Sequence, residues 1–316
     1  RQTPRMVEML WEPLAVAALN QGIDQALAAP FVRVLAQMFT GAPRDAALGM
    51  TATPLDKMYA EPARTFIESR GGEVRVNQRI VGIVSHSDAV TVTTKTEEFR
   101  ADQFVNCAGL HSDRLARLAG LNPDVRIIPF RGEYYELTPE ASYLVKGLIY
   151  PVPDPAFPFL GVHLTRMING SIHAGPNAIF ALAREGYTKL KINPRDVVDS
   201  LRWPGLWKLG KRFWRTGLDE AARSLSKKRF LASLRELVPD LPDDCLLPTH
   251  AGVRAQALHR DGRLVDDFYY QRAPRQVHVL NAPSPAATAS LAIAGRLADS
   301  VDEAFSLGDR PVPTST

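Results

Sequence analysis

Hydrophobic positions recur along this chain with two different periods. Val7 to Leu19 and Phe31 to Phe39 are apolar at helical spacing, with Gly22 and Pro30 between them and loops marked by Gly41-Ala42-Pro43 and Thr53-Pro54. The spacing predicts a helical region with one apolar face. Glu61 to Arg70 predicts a short helix that Gly71-Gly72 stops. At EVRVNQRIVGI the period drops to two, and strands are predicted there, through AVTVTT and into QFVNCAG. VRIIPFRGEYYEL, GLIYPVP, FLGVHLTR and SIHAGP, divided by Pro and Gly turns, predict a twisted antiparallel sheet between Arg126 and His173. Helical spacing returns from Asn193 to Val238. Strands at AGVRAQ, LVDDFYY and QVHVLN precede a final helix beginning near Pro285, and the Pro- and Thr-containing stretch after Leu307 predicts a mobile tail.

Val105 to Gly120, VNCAGLHSDRLARLAG, reads as strand, tight turn and helix, with Ser112 as the expected cap and Asp113 behind it. The first N–H groups of a helix lack internal partners, and a glycine beside them lets an anion approach. A buried strand with a covering helix explains the same pattern without a ligand. No G-x-G-x-x-G occurs, and no internal repeat is present.

Composition narrows the class. The 316 residues carry a net charge of +4 with ordinary apolar and charged fractions, so a globular chain of one large or two ordinary domains is expected. Cys107 and Cys245 are the only cysteines, which excludes a disulfide framework and a structural zinc site and favours a reducing, cytoplasmic compartment. No metal site is expected. No apolar run is long enough to span a bilayer, and no signal sequence is evident. The chain starts at Arg1, and a preceding segment is expected.

The blocks VNCAGLHSDRLARLAG, PFRGEYYEL, GLIYPVPDPAFPFLGVHLTR, HAGPNAIFALAREGY, AGVRAQAL and LNAPSPAATASLAI, in that order, closely resemble the L-2-hydroxyglutarate oxidase/dehydrogenase family of flavoproteins, within the D-amino-acid oxidase and glycine oxidase group. The resemblance runs from about Gly71 to Ser300. LWEPLAVAALN and AEPARTFIESRGGEVR resemble instead the substrate-side segment of squalene-forming, FAD-dependent desaturases of the amine-oxidase group. Together these imply a mixed α/β (α+β) fold: an incomplete FAD-binding, Rossmann-like domain with an antiparallel-sheet substrate domain and a helical insert. The expected division is a helical substrate-side segment at 1–70, FAD-binding parts at 71–125 and 250–306, a substrate domain at 126–249 and a tail at 307–316. On this resemblance VNCAG belongs to the second half of an FAD site whose first half lies outside this chain.

The same resemblance places Ser284, Pro285, Ala286, Ala287 and Thr288 against the flavin ring, and gives cofactor-binding roles to Ile80, Ala108, Gly109 and Gly252. Without it, the small residues of NAPSPAATAS read as a helix start that permits close packing. Arg254 in AGVRAQ can hold a substrate carboxylate by two parallel hydrogen bonds, or lie in a surface ion pair. Oxidation of a 2-hydroxy acid needs a neutral imidazole to take the hydroxyl proton; His163 comes first, His173 second, and His250 is a third candidate. Each also suits a structural role. Arg131 can hold the second carboxylate of a dicarboxylate, or pair with Glu133 or Glu136. Tyr134 and Tyr135 alternate faces, so one of them can reach a site, and Asn177 is a further polar candidate.

WKLGKRFWRTGLDEAARSLSKKRF holds eight basic residues against two acidic ones, with Trp207, Phe213 and Trp214 interleaved. Such a segment, 207–230, suits peripheral contact with the inner face of an anionic membrane and delivery of electrons to a quinone, oxygen being the other acceptor. A solvated basic face with the aromatics turned into the core is the alternative. No nucleic-acid motif is present. Three functions follow: FAD-dependent oxidation of L-2-hydroxyglutarate or a similar 2-hydroxy acid; a desaturase-like activity on an isoprenoid lined by residues 1–70; or a scaffold without catalytic activity.

Overall fold

The computed structural model describes residues 2–19, 21–42, 51–151, 161–283 and 286–307. Helices come first: α1 (Pro4–Met6), α2 (Glu12–Leu19), α3 (Ala28–Phe39) and α4 (Glu61–Glu68). Strands β1 (Ile80–Ser85), β2 (Val90–Thr94), β3 (Glu98–Ala101) and β4 (Phe104–Asn106) lead to α5 (Ser112–Leu118). Then come β5 (Val125–Leu137), β6 (Leu148–Ile149), β7 (His163–Arg166) and β8 (Ile172–Phe180). Helices α6 (Pro194–Leu201), α7 (Pro204–Arg212), α8 (Trp214–Leu225) and α9 (Lys227–Arg235) follow, before β9 (Leu246–Pro248), β10 (Gly252–His259), β11 (Tyr269–Ala273), β12 (Gln276–Asn281) and α10 (Ser290–Phe305).

Two compact units interleave along the chain. The first comprises Arg1–Pro54, Glu133–Ala178 and Ala222–His250. Its sheet takes the end of β5, flanked by β9 in antiparallel register (Tyr135 opposite Pro248), and continues through β8, β7 and β6. One face of that sheet is apolar. Leu137, Leu164, Ile172 and Ala174 point into a core with Phe230, Leu231 and Leu234 of α9, and Tyr135 packs on Phe230 at 4.8 Å between ring centroids.

The second unit comprises Leu55–Gly132, Ile179–Ala221 and Ala251–Thr316. It contains the antiparallel meander β1–β2–β3, the start of β5 paired with β10, and a sheet in the order β11–β12–β4. The β4–β12 pair is parallel, with Val105 opposite Val277. Ile127 joins a core with Ala116, Ala257 and Leu280, while its neighbour Ile128 joins another with Trp203, Leu209 and Leu258. Both faces of β5 are therefore covered here, which is why VRIIPF reads as a continuous apolar run and not as an alternation.

Several boundaries differ from the sequence reading. Residues Glu73 to Arg79 are not strand, and β1 starts at Ile80. Their charged side chains pair locally instead, Arg75 with Glu73 at 2.6 Å. LVDDFYY yields a strand only from Tyr269, because Asp267 accepts a hydrogen bond from the Phe268 backbone N–H and turns the chain. The last helix begins at Ser290, after turn residues 286–289. Ser112 is the first helical residue; its predecessor His111 occupies the cap position and makes no side-chain cap bond. Pro43 and the tail beyond Leu307 lie outside the described residues.

Truncating Phe230, 1% exposed in the first core, to alanine is expected to cost about 3–5 kcal/mol of unfolding free energy. Leu190→Ala, at a side chain 91% exposed, is expected to stay within about 0.5 kcal/mol, and urea denaturation of both variants checks the contrast.

Candidate functional site

In the first unit, strand pleat decides which candidate side chains can meet. Tyr135, Leu137, Leu164, Ile172 and Ala174 enter the apolar core, so the residues between them take the other face. That face carries Tyr134 and Glu136 on β5, His163 and Thr165 on β7, and His173 on β8, with His163 opposite Gly175 and Thr165 opposite His173. Three sequence-predicted residues, Tyr134, His163 and His173, thus share one polar face, while Asn177, farther along β8, is buried. Gly175 makes room for that face. A Cβ there would lie 2.7 Å from the Tyr134 ring and 2.8 Å from the Glu133 carbonyl, and its φ of +148° favours glycine.

His163 is held from two sides. Its ring stacks on Tyr150 at 4.3 Å, and Nδ1 donates to the Gly161 carbonyl at 3.0 Å, which leaves Nε2 with the lone pair. Burial lowers its pKa against the opposing effect of that hydrogen bond, so the imidazole is neutral at pH 7. His173 places Nε2 3.7 Å from the Glu136 carboxylate. Tyr134 is raised above the usual phenol range by burial and by Tyr150. His250 is exposed and stands outside the strands.

In the second unit the turn after β4 is braced by a buried polar chain. The parallel register sets Asn106 beside His278. Asn106 accepts from the Ala108 backbone N–H at 3.1 Å and donates to the Ser112 carbonyl at 2.8 Å and to His278 Nδ1 at 3.0 Å. His278 Nε2 then donates to Gln276 at 2.8 Å, and Gln276 donates to Ser85 on β1. The donors and acceptors are consistent only with a neutral ring protonated on Nε2. Burial depresses the His278 pKa to about 4.

A second network, missed from the sequence, fixes the other side of the same turn. The Arg184 guanidinium, 1% exposed, grips Asp113 with two hydrogen bonds of 2.7 and 2.9 Å, reaches Asp199 at 3.1 Å and donates to the Leu110 carbonyl. Arg114 pairs with Asp196 at 2.7 Å, and Arg117 and Arg126 close on Asp199. Burial works to raise the Asp199 pKa, but Arg126, Arg117 and Arg184 outweigh it and hold the carboxyl at about 2. The acid in the first turn of α5 is therefore the protein's own Asp113, already neutralised. The one signal in the sequence is a charged Arg184 directly after the small, apolar stretch AIFALA.

Around this turn the second unit is open where the glycines lie. Gly109 has φ +51°, and a Cβ built on it or on Gly252 would meet no atom within 4 Å. Both stretches of backbone are approachable by a flat or anionic group, which fits the flavin nucleotide that the sequence implies. Ala286, Ala287 and Thr288 are exposed turn residues, whereas Ser284 and Pro285 lie outside the described residues. Ile80 opens β1 opposite Thr94, next to a bulge.

Arg254 and Arg131 are not brought together. Arg254 pairs with Phe130 and Arg131 with Val253, so the two side chains leave opposite faces of the β5–β10 ladder. Arg131 is 4% exposed and donates to the Thr188 carbonyl at 3.1 Å. This register gives the two arginines separate surroundings. Arg254 is on the exposed side of the strand, yet surrounding atoms lower its pKa by desolvation while Asp266 opposes the shift.

Two consequences can be measured. Between pH 6.5 and about 4 the unfolded chain binds a proton at residue 278 that the folded chain refuses, so stability falls as pH falls, by roughly 3 kcal/mol in total. Asp199 adds a further loss as pH falls from the ordinary carboxylate value of about 4 to its folded value of about 2. His278→Gln is expected to remove the first slope from unfolding free energies measured across that range. Separately, Arg184→Met is expected to cost about 3–5 kcal/mol by leaving Asp113 buried without its cation, and Arg184→Met with Asp113→Asn less than the sum of the single changes.

Comparison with known proteins places this geometry. Residues 56–300 match the family model described as FAD dependent oxidoreductase. The chain is 46% identical over 244 residues to an L-2-hydroxyglutarate dehydrogenase of Indibacter alkaliphilus, covering 77% of this chain and 61% of that protein. It is 43% identical over 245 residues to the Escherichia coli K12 L-2-hydroxyglutarate dehydrogenase, covering 77% and 58%, and 43% identical over 269 residues to the human mitochondrial one, covering 79% and 58%. The chain thus spans about three-fifths of the length of these curated relatives. Among solved structures, an L-α-glycerophosphate oxidase of Mycoplasma pneumoniae with FAD bound shares the fold, at a TM-score of 0.52 and 20% identity over 74% of this chain and 52% of that one. The chain belongs to the FAD dependent oxidoreductase family.

Proposed function

We propose that this chain is part of an FAD-dependent oxidoreductase that converts L-2-hydroxyglutarate, or a similar 2-hydroxy acid, to the 2-oxo acid. The observation that carries the reading is the 46% identity, sustained over 244 residues, with a dehydrogenase of that name. The open backbone at Gly109 and Gly252 supports it. Ala108, Gly109, Gly252 and the small residues Ala286, Ala287 and Thr288 are the groups we assign to holding the cofactor, with Ile80, Ser284 and Pro285. When bound, FAD supplies the two-electron acceptor for the hydride that leaves C2 of the substrate.

The remaining chemistry is assigned to side chains. Arg254 binds a substrate carboxylate through its planar fork. His163 takes the hydroxyl proton at Nε2, the nitrogen its Gly161 bond leaves free, and its lowered pKa keeps it competent at neutral pH. His173 is the second candidate for that role. Tyr134 lines the same polar face, Asn177 is assigned a further substrate contact, and Arg131 serves from within the strand by ordering the stretch around Thr188. The electron acceptor is oxygen or a quinone, and membrane contact through residues 207–230 suits the quinone. Among the described residues no helix is long and apolar enough to cross a membrane.

The visible spectrum of the purified chain with FAD tests the whole reading. Retained flavin bands that bleach anaerobically with L-2-hydroxyglutarate are expected; bands that do not bleach remove the substrate, and no retained flavin removes the cofactor site from this chain taken alone. If flavin is retained, Arg254→Ala is expected to raise the substrate KM by at least about tenfold with flavin still bound, the loss of a charge-assisted pair. Unchanged kinetics would take Arg254 out of the site.

A further inference from the structure

Helix α3 is apolar on two sides. Phe31, Val34, Leu35 and Met38 form a half-buried stripe, and Phe31 meets Trp11 edge to face with ring centroids 6.4 Å apart. Ala15 and Val16 of α2, which packs on α3, are buried. The outer stripe is uncovered among the described residues. Ala29, Val32, Ala36 and Phe39 are all exposed, Val32 at 60% and Phe39 at 63%. A helix that only covers a core keeps its far side polar, yet Arg33 and Gln37 are the only polar residues in AAPFVRVLAQMF. Helix α3 also precedes residues 56–300, the part that the family model matches, so that fold does not account for its outer face.

The spacing of the outer stripe says what fits it. Its four residues recur at intervals of three, four and three, the seam that one helix offers to another. Their sizes alternate small, large, small, large. A two-fold axis level with Val34 sets a second copy of α3 antiparallel to the first, with Ala29 opposite Phe39 and Val32 opposite Ala36, so every layer joins a large side chain to a small one. The parallel arrangement would set Phe39 on Phe39 and leave Ala29 against Ala29. Arg33 lies beside the seam, where its stem can cover apolar surface with its head in water, and the seam itself carries no charge, so shape selects the partner. Leu27, 74% exposed, extends the apolar surface at the start of the helix. At about 18 Å the helix is short, and the contact falls below the roughly 1,200 Å² of a stable interface, so association is expected in the micromolar range.

We propose that α3 pairs antiparallel with α3 of a second copy of this chain through Ala29, Val32, Ala36 and Phe39, giving a reversible dimer. The helix lies outside the flavin and substrate assignments, and the pairing does not rest on them. Sedimentation velocity of the full chain should show monomer at about 1 μM and dimer at about 200 μM. Val32→Glu/Phe39→Glu should weaken the association by at least about tenfold at unchanged circular dichroism, since the dimer would bury the new carboxylates. Leu190→Glu, at a side chain outside the seam, should dimerise as the parent does. Chains bearing Val32→Cys and chains bearing Ala36→Cys, both also Cys107→Ser, should on mild oxidation form the mixed disulfide faster than either self-disulfide, because residues 32 and 36 face each other across the axis. A monomer throughout that range, a dimer untouched by the double glutamate variant, or a dominant self-disulfide at residue 32 would overturn the proposal. So would saturable uptake of squalene by a monomeric chain that the same glutamates abolish, which would assign the seam to an isoprenoid.

Discussion

The bidentate pair of Arg184 with Asp113 is the interaction on which the second unit depends. Two opposite charges are almost wholly removed from water there, and each is tolerable only because the other is present in good geometry. Four arginines and three aspartates share the network, so no single pair carries the desolvation cost alone. The result is positional. Helix α5, seven residues long and without a side-chain cap, would be marginal by itself, yet it is tied at its first turn to Asp199 of α6 through one guanidinium.

The turn from Cys107 to His111 therefore has rigid supports before and after it. Asn106 holds its beginning through Ala108 and its end through Ser112, and Arg184 holds Leu110 between them. Gly109 can adopt a left-handed conformation and leave space on its outer side because nothing about the turn relies on a side chain at that position. In the first unit the same economy appears as a division of faces: apolar side chains bind the sheet to α9, and alternation delivers two histidines and a tyrosine to the reverse side.

How much of this was legible follows from range. The strand period in VRIIPFRGEYYEL, the helical spacing from Asn193 to Val238 and the stop at Gly71 are local, and the corresponding elements are present. The polar face of His163, His173 and Tyr134 was half legible, since pleat parity is local but the register that aligns three strands is not. Arg184 with Asp113, 71 residues apart, and Asn106 with His278, 172 apart, have no local signature at all. Alternation within one strand separates Tyr134 from Tyr135, whereas Arg131 and Arg254 are set on opposite faces only by the pairing of two strands.

One feature of the second unit reaches beyond its chemistry. Among the described strands β4 pairs only with β12, and α10, which follows that strand, has no buried residue in sixteen. A strand with one unpaired side carries backbone donors and acceptors that another strand can engage. Whatever pairs with it in the folded state and not in the unfolded one adds its association free energy to that of the fold. For a chain that meets that edge, the melting temperature of this unit would be set by that chain's concentration as well as by the sequence.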